Sequence, residues 1–150
     1  MNLEINSPDF IRNKHNLPFI ENFNYLYSIN SKMKIRSALI IDDEMDICLL
    51  LKYYLKRKNI QASYATSLKE GFSKFKDLKP DLLILDHNLP DGHGIENVVK
   101  FKNENKSLFI IVISAMSNLK TIALEKGADL FMEKPISFLL LNELFKSEGK

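Results

Sequence analysis

From Lys34 onward, short uninterrupted apolar runs alternate with stretches in which apolar residues recur every three or four positions. The runs Ser37–Ile41, Ile60–Ala65, Leu82–Leu85, Leu108–Ile113 and Leu130–Met132 predict β-strands. Helical spacing predicts helices at Glu44–Lys58, Ser67–Leu78, Gly94–Asn105, Asn118–Lys126 and Ile136–Lys146. Strands that lack polar alternation are buried on both faces, which implies a parallel sheet covered by helices on both sides. Five β-then-α units therefore predict an α/β, doubly wound, five-stranded parallel sheet.

Two of the helices carry more apolar surface than one buried face needs. In the first, Ile47, Leu50, Leu51, Tyr54 and Leu55 form the face expected on the sheet, and Met45, Cys48 and Leu49 form a second one. That second face is either spill-over of the core or a docking surface for a partner. In the last helix Phe138, Leu139, Leu140 and Leu141 run without a break. Leu139 and Leu140 are therefore expected to be covered, by the N-terminal segment or by another protein.

Residues 1–33 have a different character, with seven Asn, five aromatics and the helix-breaking Pro8 and Pro18. They read as an N-terminal extension, partly ordered or a tail, ahead of a main domain at 34–150. Phe19, Ile20, Phe23, Leu26 and Tyr27 fit one short helix within Pro18–Ile29, and Met33 is an alternative start. The 150 residues suit one domain, with 45% apolar and 27% charged positions and a net charge of +2. The longest strictly apolar run, Leu108–Ile113, has six residues, whereas a membrane span needs about twenty. The first thirty residues hold no apolar core of a secretory signal, and the single Cys48 cannot build a disulfide framework. A cytoplasmic protein without membrane insertion is expected. The lysines are scattered, and no further module follows Lys150, so direct nucleic-acid binding is not expected.

The chemistry gathers at the carboxyl ends of the predicted strands, where open α/β sheets carry their sites. The first strand runs into Asp42-Asp43-Glu44, the third ends in Asp86, the fourth in Ser114-Ala115, and the fifth leads to Lys134-Pro135. Adjacent carboxylates raise one another's pKa and are tolerated where a hard cation such as Mg²⁺ sits among them.

These residues resemble the response-regulator receiver domains of bacterial two-component signalling. The likeness rests on Asp42-Asp43-Glu44, on Leu85-Asp86-His87-Asn88-Leu89-Pro90-Asp91-Gly92-His93-Gly94, and on Ser114-Ala115, Gly127-Ala128-Asp129 and Lys134-Pro135. The resemblance implies a flavodoxin-like (βα)5 fold with strand order 2-1-3-4-5. It implies that Asp86 accepts a phosphoryl group from a phosphohistidine of a histidine kinase or histidine phosphotransfer protein. Asp43, Asp86 and the backbone carbonyl of Asn88 would hold Mg²⁺, with Asp42 acting mainly through water on the metal. Lys134 and Ser114 would contact the phosphoryl oxygens, and Phe131 would be the aromatic switch. The Lys134–Pro135 peptide would be cis. Such a protein is a phosphoacceptor signalling domain and not a turnover enzyme, and its output is a change of protein partner.

The segment from Ser114 to Lys134 is 20 residues, shorter than the resemblance implies, and the shortening falls before Gly127. Dimerisation through that face is therefore in doubt, and the oligomeric state is left open. A haloacid-dehalogenase-type phosphatase would need a second Asp two residues after Asp86, where Asn88 stands. His15, His87 and His93 read as loop residues. The competing reading is a receiver-like adaptor that is not phosphorylated and binds partners through the extension and the last helix.

Overall fold

The computed structural model describes residues 33–146. Backbone contacts group Lys34–Ser137 into one compact unit, and the last helix falls outside it. Within Lys34–Ser137 the order is β1 (Ser37–Ile41), α1 (Met45–Arg57), β2 (Gln61–Ala65), α2 (Leu68–Leu78) and β3 (Leu82–Asp86). A two-residue hairpin follows, β4 (Asn88–Leu89) and β5 (Gly92–His93), and then a 3-10 turn Gly94–Asn97 that leads into α3 (Val98–Glu104). The rest is β6 (Phe109–Ser114), a 3-10 turn Ser117–Leu119, α4 (Lys120–Glu125) and β7 (Leu130–Glu133). The final helix is α5 (Phe138–Leu144).

Five strands form one parallel sheet in the order β2-β1-β3-β6-β7. With the small hairpin set aside this is the expected 2-1-3-4-5 order of a doubly wound flavodoxin-like sheet. Register pairs Ile41 with Leu85 and Asp86 with Ile113, so the carboxyl ends of β1, β3 and β6 lie side by side.

Alternate residues of the strands serve the two faces. Leu39, Ile41, Leu83, Leu85, Ile110 and Val112 pack with Phe75 of α2, Val98 and Phe101 of α3, and Ala123 and Leu124 of α4. On the other face Ala38, Ile40, Leu82, Ile84, Phe109, Ile111 and Ile113 are equally buried. Phe101 stacks on Phe72 at 4.3 Å between ring centroids and meets Phe75 edge-on at 5.0 Å.

The loops at the amino ends of the strands are tied by single carboxylates. Asp81 Oδ2 accepts hydrogen bonds from the backbone N–H of Arg36 at 2.8 Å and of Ser37 at 3.2 Å. Asp129 Oδ2 accepts from Ile110 N–H at 2.9 Å and pairs with Lys102 at 2.7 Å. Asp129 of the Gly127-Ala128-Asp129 motif thus anchors β6 to the loop before β7.

The first helix departs from the expected pattern. Its buried residues are Cys48, Leu51 and Leu55, while Leu50, assigned above to the sheet face, is 46% exposed. Cys48, assigned to the second face, is instead fully buried, and its thiol donates to the Asp42 carbonyl at 3.1 Å. The helix begins so close to β1 that position 48 points back at the strand end, which a helical-wheel argument without the tertiary entry angle misassigns. Met45, Leu49, Leu50 and Tyr53 are exposed. In α5, Leu141 and Leu144 are buried and Leu139 is 59% exposed, with Leu140 half-buried. The expected cover for Leu139 from residues 1–33, the short helix at Pro18–Ile29 and the alternative start lie outside the described residues, apart from Met33 itself.

Candidate functional site

The carboxyl rim of the sheet collects four acids, one ammonium and one hydroxyl. Asp42 leaves the end of β1 completely buried, and its Oδ1 accepts the backbone N–H of Glu44 at 2.9 Å. Asp86 ends β3 with 3% exposure, while Asp43 is exposed beside it. One carboxylate oxygen from each of Asp42, Asp43 and Asp86 lies within 4.8 Å of the others.

The ammonium of Lys134 is the counter-charge. Its Nζ lies 2.9 Å from Glu44 Oε1, 3.2 Å from Asp42 Oδ2 and 3.4 Å from Asp86 Oδ1. The Lys134–Pro135 peptide that carries it into place is cis, and Lys134 N–H donates to the Ser114 carbonyl at 2.9 Å. Ser114 is buried, and its hydroxyl oxygen accepts from Met116 N–H at 3.0 Å. It follows directly on Ile113, the register partner of Asp86.

Burial sets the electrostatics. It pushes the Asp86 carboxyl up to about 6, and the Asp42 charge adds to this, against the pull of Lys134. Asp42 is raised as well, chiefly by burial, despite its hydrogen bond to Glu44 N–H. Burial alone would lower Lys134, but Glu44, Asp86 and Asp42 together outweigh it and hold the ammonium firmly protonated. Asp42 Oδ2 is buried and makes no hydrogen bond of good geometry, although Lys134 stands 3.2 Å away. Three carboxylates in reach of one another, one of them with a desolvated and unsatisfied oxygen, fit a hard divalent cation.

The loop after Asp86 is held rigidly. His87 N–H donates to Ile113 at 3.1 Å, and Gly94 N–H donates to the His87 carbonyl at 2.8 Å. A Cβ on Gly94 would run into the carbonyl oxygen of Asp86, so only glycine allows this approach. Asp91 reaches across to cap α2, accepting from Leu68 N–H at 2.8 Å and Lys69 N–H at 2.9 Å. His87 and His93 stack at 4.7 Å across the base of the hairpin.

Asp42, Asp43, Asp86, Ser114 and Lys134 are thus brought to one rim. Asn88 is exposed on β4, two residues beyond Asp86, and Phe131 is half-buried against the core. The role of Glu44 as the nearest partner of Lys134 is not visible in the sequence, where it is only the third acid of a run. The close approach of Gly94 and the cap by Asp91 are also invisible there, because both join segments that are distant along the chain or folded back upon themselves.

Residues 38–146 match the family model of the response regulator receiver domain. The chain is 38% identical over 105 residues to the alkaline phosphatase synthesis transcriptional regulatory protein PhoP of Bacillus subtilis, covering 68% of this chain and 43% of that protein. It is 31% identical over 103 residues to the chemotaxis protein CheY of Thermotoga maritima, covering 67% of this chain and 86% of CheY. A crystal structure of a two-component response regulator from Clostridium difficile matches with a TM-score of 0.67 at 30% identity, over 71% of this chain and 88% of that one. The chain spans less than half the length of PhoP and of the KDP operon transcriptional regulatory protein KdpE of Escherichia coli. With its five-stranded sheet and the acids at its carboxyl rim, the chain belongs to the response regulator receiver domains of two-component systems.

Proposed function

We propose that this domain takes a phosphoryl group from the phosphohistidine of a histidine kinase or histidine phosphotransfer protein onto Asp86, and signals by changing its protein contacts. The observation that carries this reading is a buried Asp86 carboxylate grouped with Asp42 and Asp43 and facing the Lys134 ammonium at 3.4 Å. An Asp86 carboxylate oxygen attacks phosphorus, the O–P bond of an acyl phosphate forms, and the P–N bond to the donor imidazole breaks. The leaving imidazole takes up a proton from solvent. Such transfer is mostly positioning and charge neutralisation, and the rim is suited to both.

Asp43 and Asp86, with the carbonyl of Asn88 and with Asp42 behind them, would hold Mg²⁺. Bound there, the ion would offset the negative charge of the phosphoryl oxygens and the acids. Lys134 would pair with one phosphoryl oxygen. Ser114 would turn its hydroxyl to another, giving up its bond from Met116, and Phe131 would follow as the switch. The partner in the cytoplasm is selected by surfaces outside this rim, and the exposed Met45 and Leu49 beside it are candidates.

Intact mass after treatment with acetyl phosphate and Mg²⁺ tests the reading. One phosphoryl adduct is expected, absent in Asp86→Asn and absent with EDTA. No adduct in the wild-type protein would overturn it and favour an adaptor that binds partners without phosphorylation, through the extension and the Leu139 region.

A further inference from the structure

We infer that Glu44 is a positioning residue that acts through Lys134, a latch that competes with the acceptor site for the ammonium in the resting state and releases it when Asp86 carries a phosphoryl group. The inference rests on the reading of Asp86 given above.

Three carboxylates face one ammonium, and they are not equivalent. Only Glu44 makes a hydrogen bond of good geometry with Lys134 Nζ, at 2.9 Å, while Asp86 stands back at 3.4 Å. An ammonium has three protons to donate, and in this state one is committed to the rim and not to the acceptor. Asp42 and Asp86 are buried and belong to the acidic triad, so neither can move away from the ammonium. The Glu44 side chain is 61% exposed and lies outside the triad, so water can replace its contact with Lys134 at little cost.

A second feature points the same way. Glu44 occupies the N-cap position of α1, where a short polar side chain would bond the first-turn amides, yet it makes no such bond. Its backbone N–H is held by Asp42 Oδ1, and its side chain reaches Lys134 instead. The side chain therefore serves the lysine and not the helix. Once an anionic phosphoryl oxygen appears beside Asp86, it offers Lys134 a buried, charge-assisted partner that outcompetes the exposed carboxylate.

The test uses the full chain with Glu44→Gln and Glu44→Asp. The first reading is the Lys134 Nζ resonance in ¹⁵N NMR in EDTA, with no anion present. The second is titration with beryllium trifluoride in the presence of Mg²⁺, as a mimic of the phosphoryl group. The latch predicts that both variants shift the Nζ resonance and lower the half-saturating beryllium trifluoride concentration about twofold to fivefold, the scale of a partly exposed ion pair. An unmoved Nζ resonance would overturn the inference, because the ion pair would not exist in solution. Glu44→Asp behaving as wild type while Glu44→Gln binds more tightly would also overturn it, in favour of a simple effect of net charge. Unchanged binding in both variants, with the wild type binding normally, would sink the latch alone. A wild-type protein that neither binds the mimic nor forms a phosphoryl adduct would overturn the proposed function and the latch together.

Discussion

Asp86 is held where its charge is costly, and this fixes a sign that can be measured. Burial and the nearby Asp42 raise its pKa to about 6, so without metal the folded state holds the proton more tightly than the unfolded chain does. The contribution of this carboxyl to stability is greatest below about pH 4, the unfolded value, and is lost as the pH rises through about 6. In EDTA at pH 7.5, Asp86→Asn is expected to be more stable than wild type by about 1–2 kcal/mol, after discounting for solvent screening. The gap should roughly halve by pH 5 and close only near pH 4, the unfolded value, and thermal melts from there to pH 7.5 check it; a gap independent of pH would contradict the raised pKa. Cys48 gives a second prediction at this scale. Its thiol is buried, bonded to the Asp42 carbonyl and pushed up to about 11, mainly by burial. Ellman's reagent at pH 8 should leave it unmodified until the protein is denatured, and rapid native labelling would show that the strand end opens.

At the level of elements, the loop between β3 and α3 is shaped by one glycine. Gly94 lies against the backbone carbonyl of Asp86, with the Leu85 side chain also close, and that backbone leaves little room to yield. Gly94→Ala is expected to cost about 1–3 kcal/mol in urea unfolding, as overpacking does, and to slow the proposed phosphorylation by displacing Asp86 at the end of β3. A fully stable Gly94→Ala protein would mean that the loop relaxes more easily than the packing implies. The first helix shows why boundaries and faces are harder to read than existence. Its span was legible to within a residue at each end, but Leu50 and Cys48 exchanged their expected environments. Apolar residues fill nearly the whole circumference of α1, so periodicity cannot select a face, and the entry angle from β1 decides.

For the whole molecule, a cation held at the acidic rim would couple metal binding to folding. A cation bound by the native triad and not by the unfolded chain stabilises the protein by mass action, about 2.7 kcal/mol at a hundred times its dissociation constant. Mg²⁺ is therefore expected to raise the melting temperature at pH 7.5. The rise should shrink below pH 6, as Asp86 takes up a proton, and largely vanish in Asp43→Asn. An equal rise in Asp43→Asn would place the ion elsewhere.

The sequence alone determined the alternation of buried strands and helices, and with it the parallel sheet. Leu39 to Ile41, Leu82 to Leu85 and Phe109 to Ile113 are apolar on both sides, and only a sheet covered on both faces satisfies that pattern. It also placed Asp42, Asp43, Asp86, Ser114 and Lys134 at strand ends, because chemistry in such sheets has one available rim. The tertiary structure alone decided which partner each of these groups meets. The hydrogen bond from Lys134 to Glu44, the burial of Cys48 under the end of β1 and the contact of Gly94 with Asp86 each depend on distances of an ångström or less. Those are set by how strands and loops pack against one another, and no local pattern along the chain encodes them.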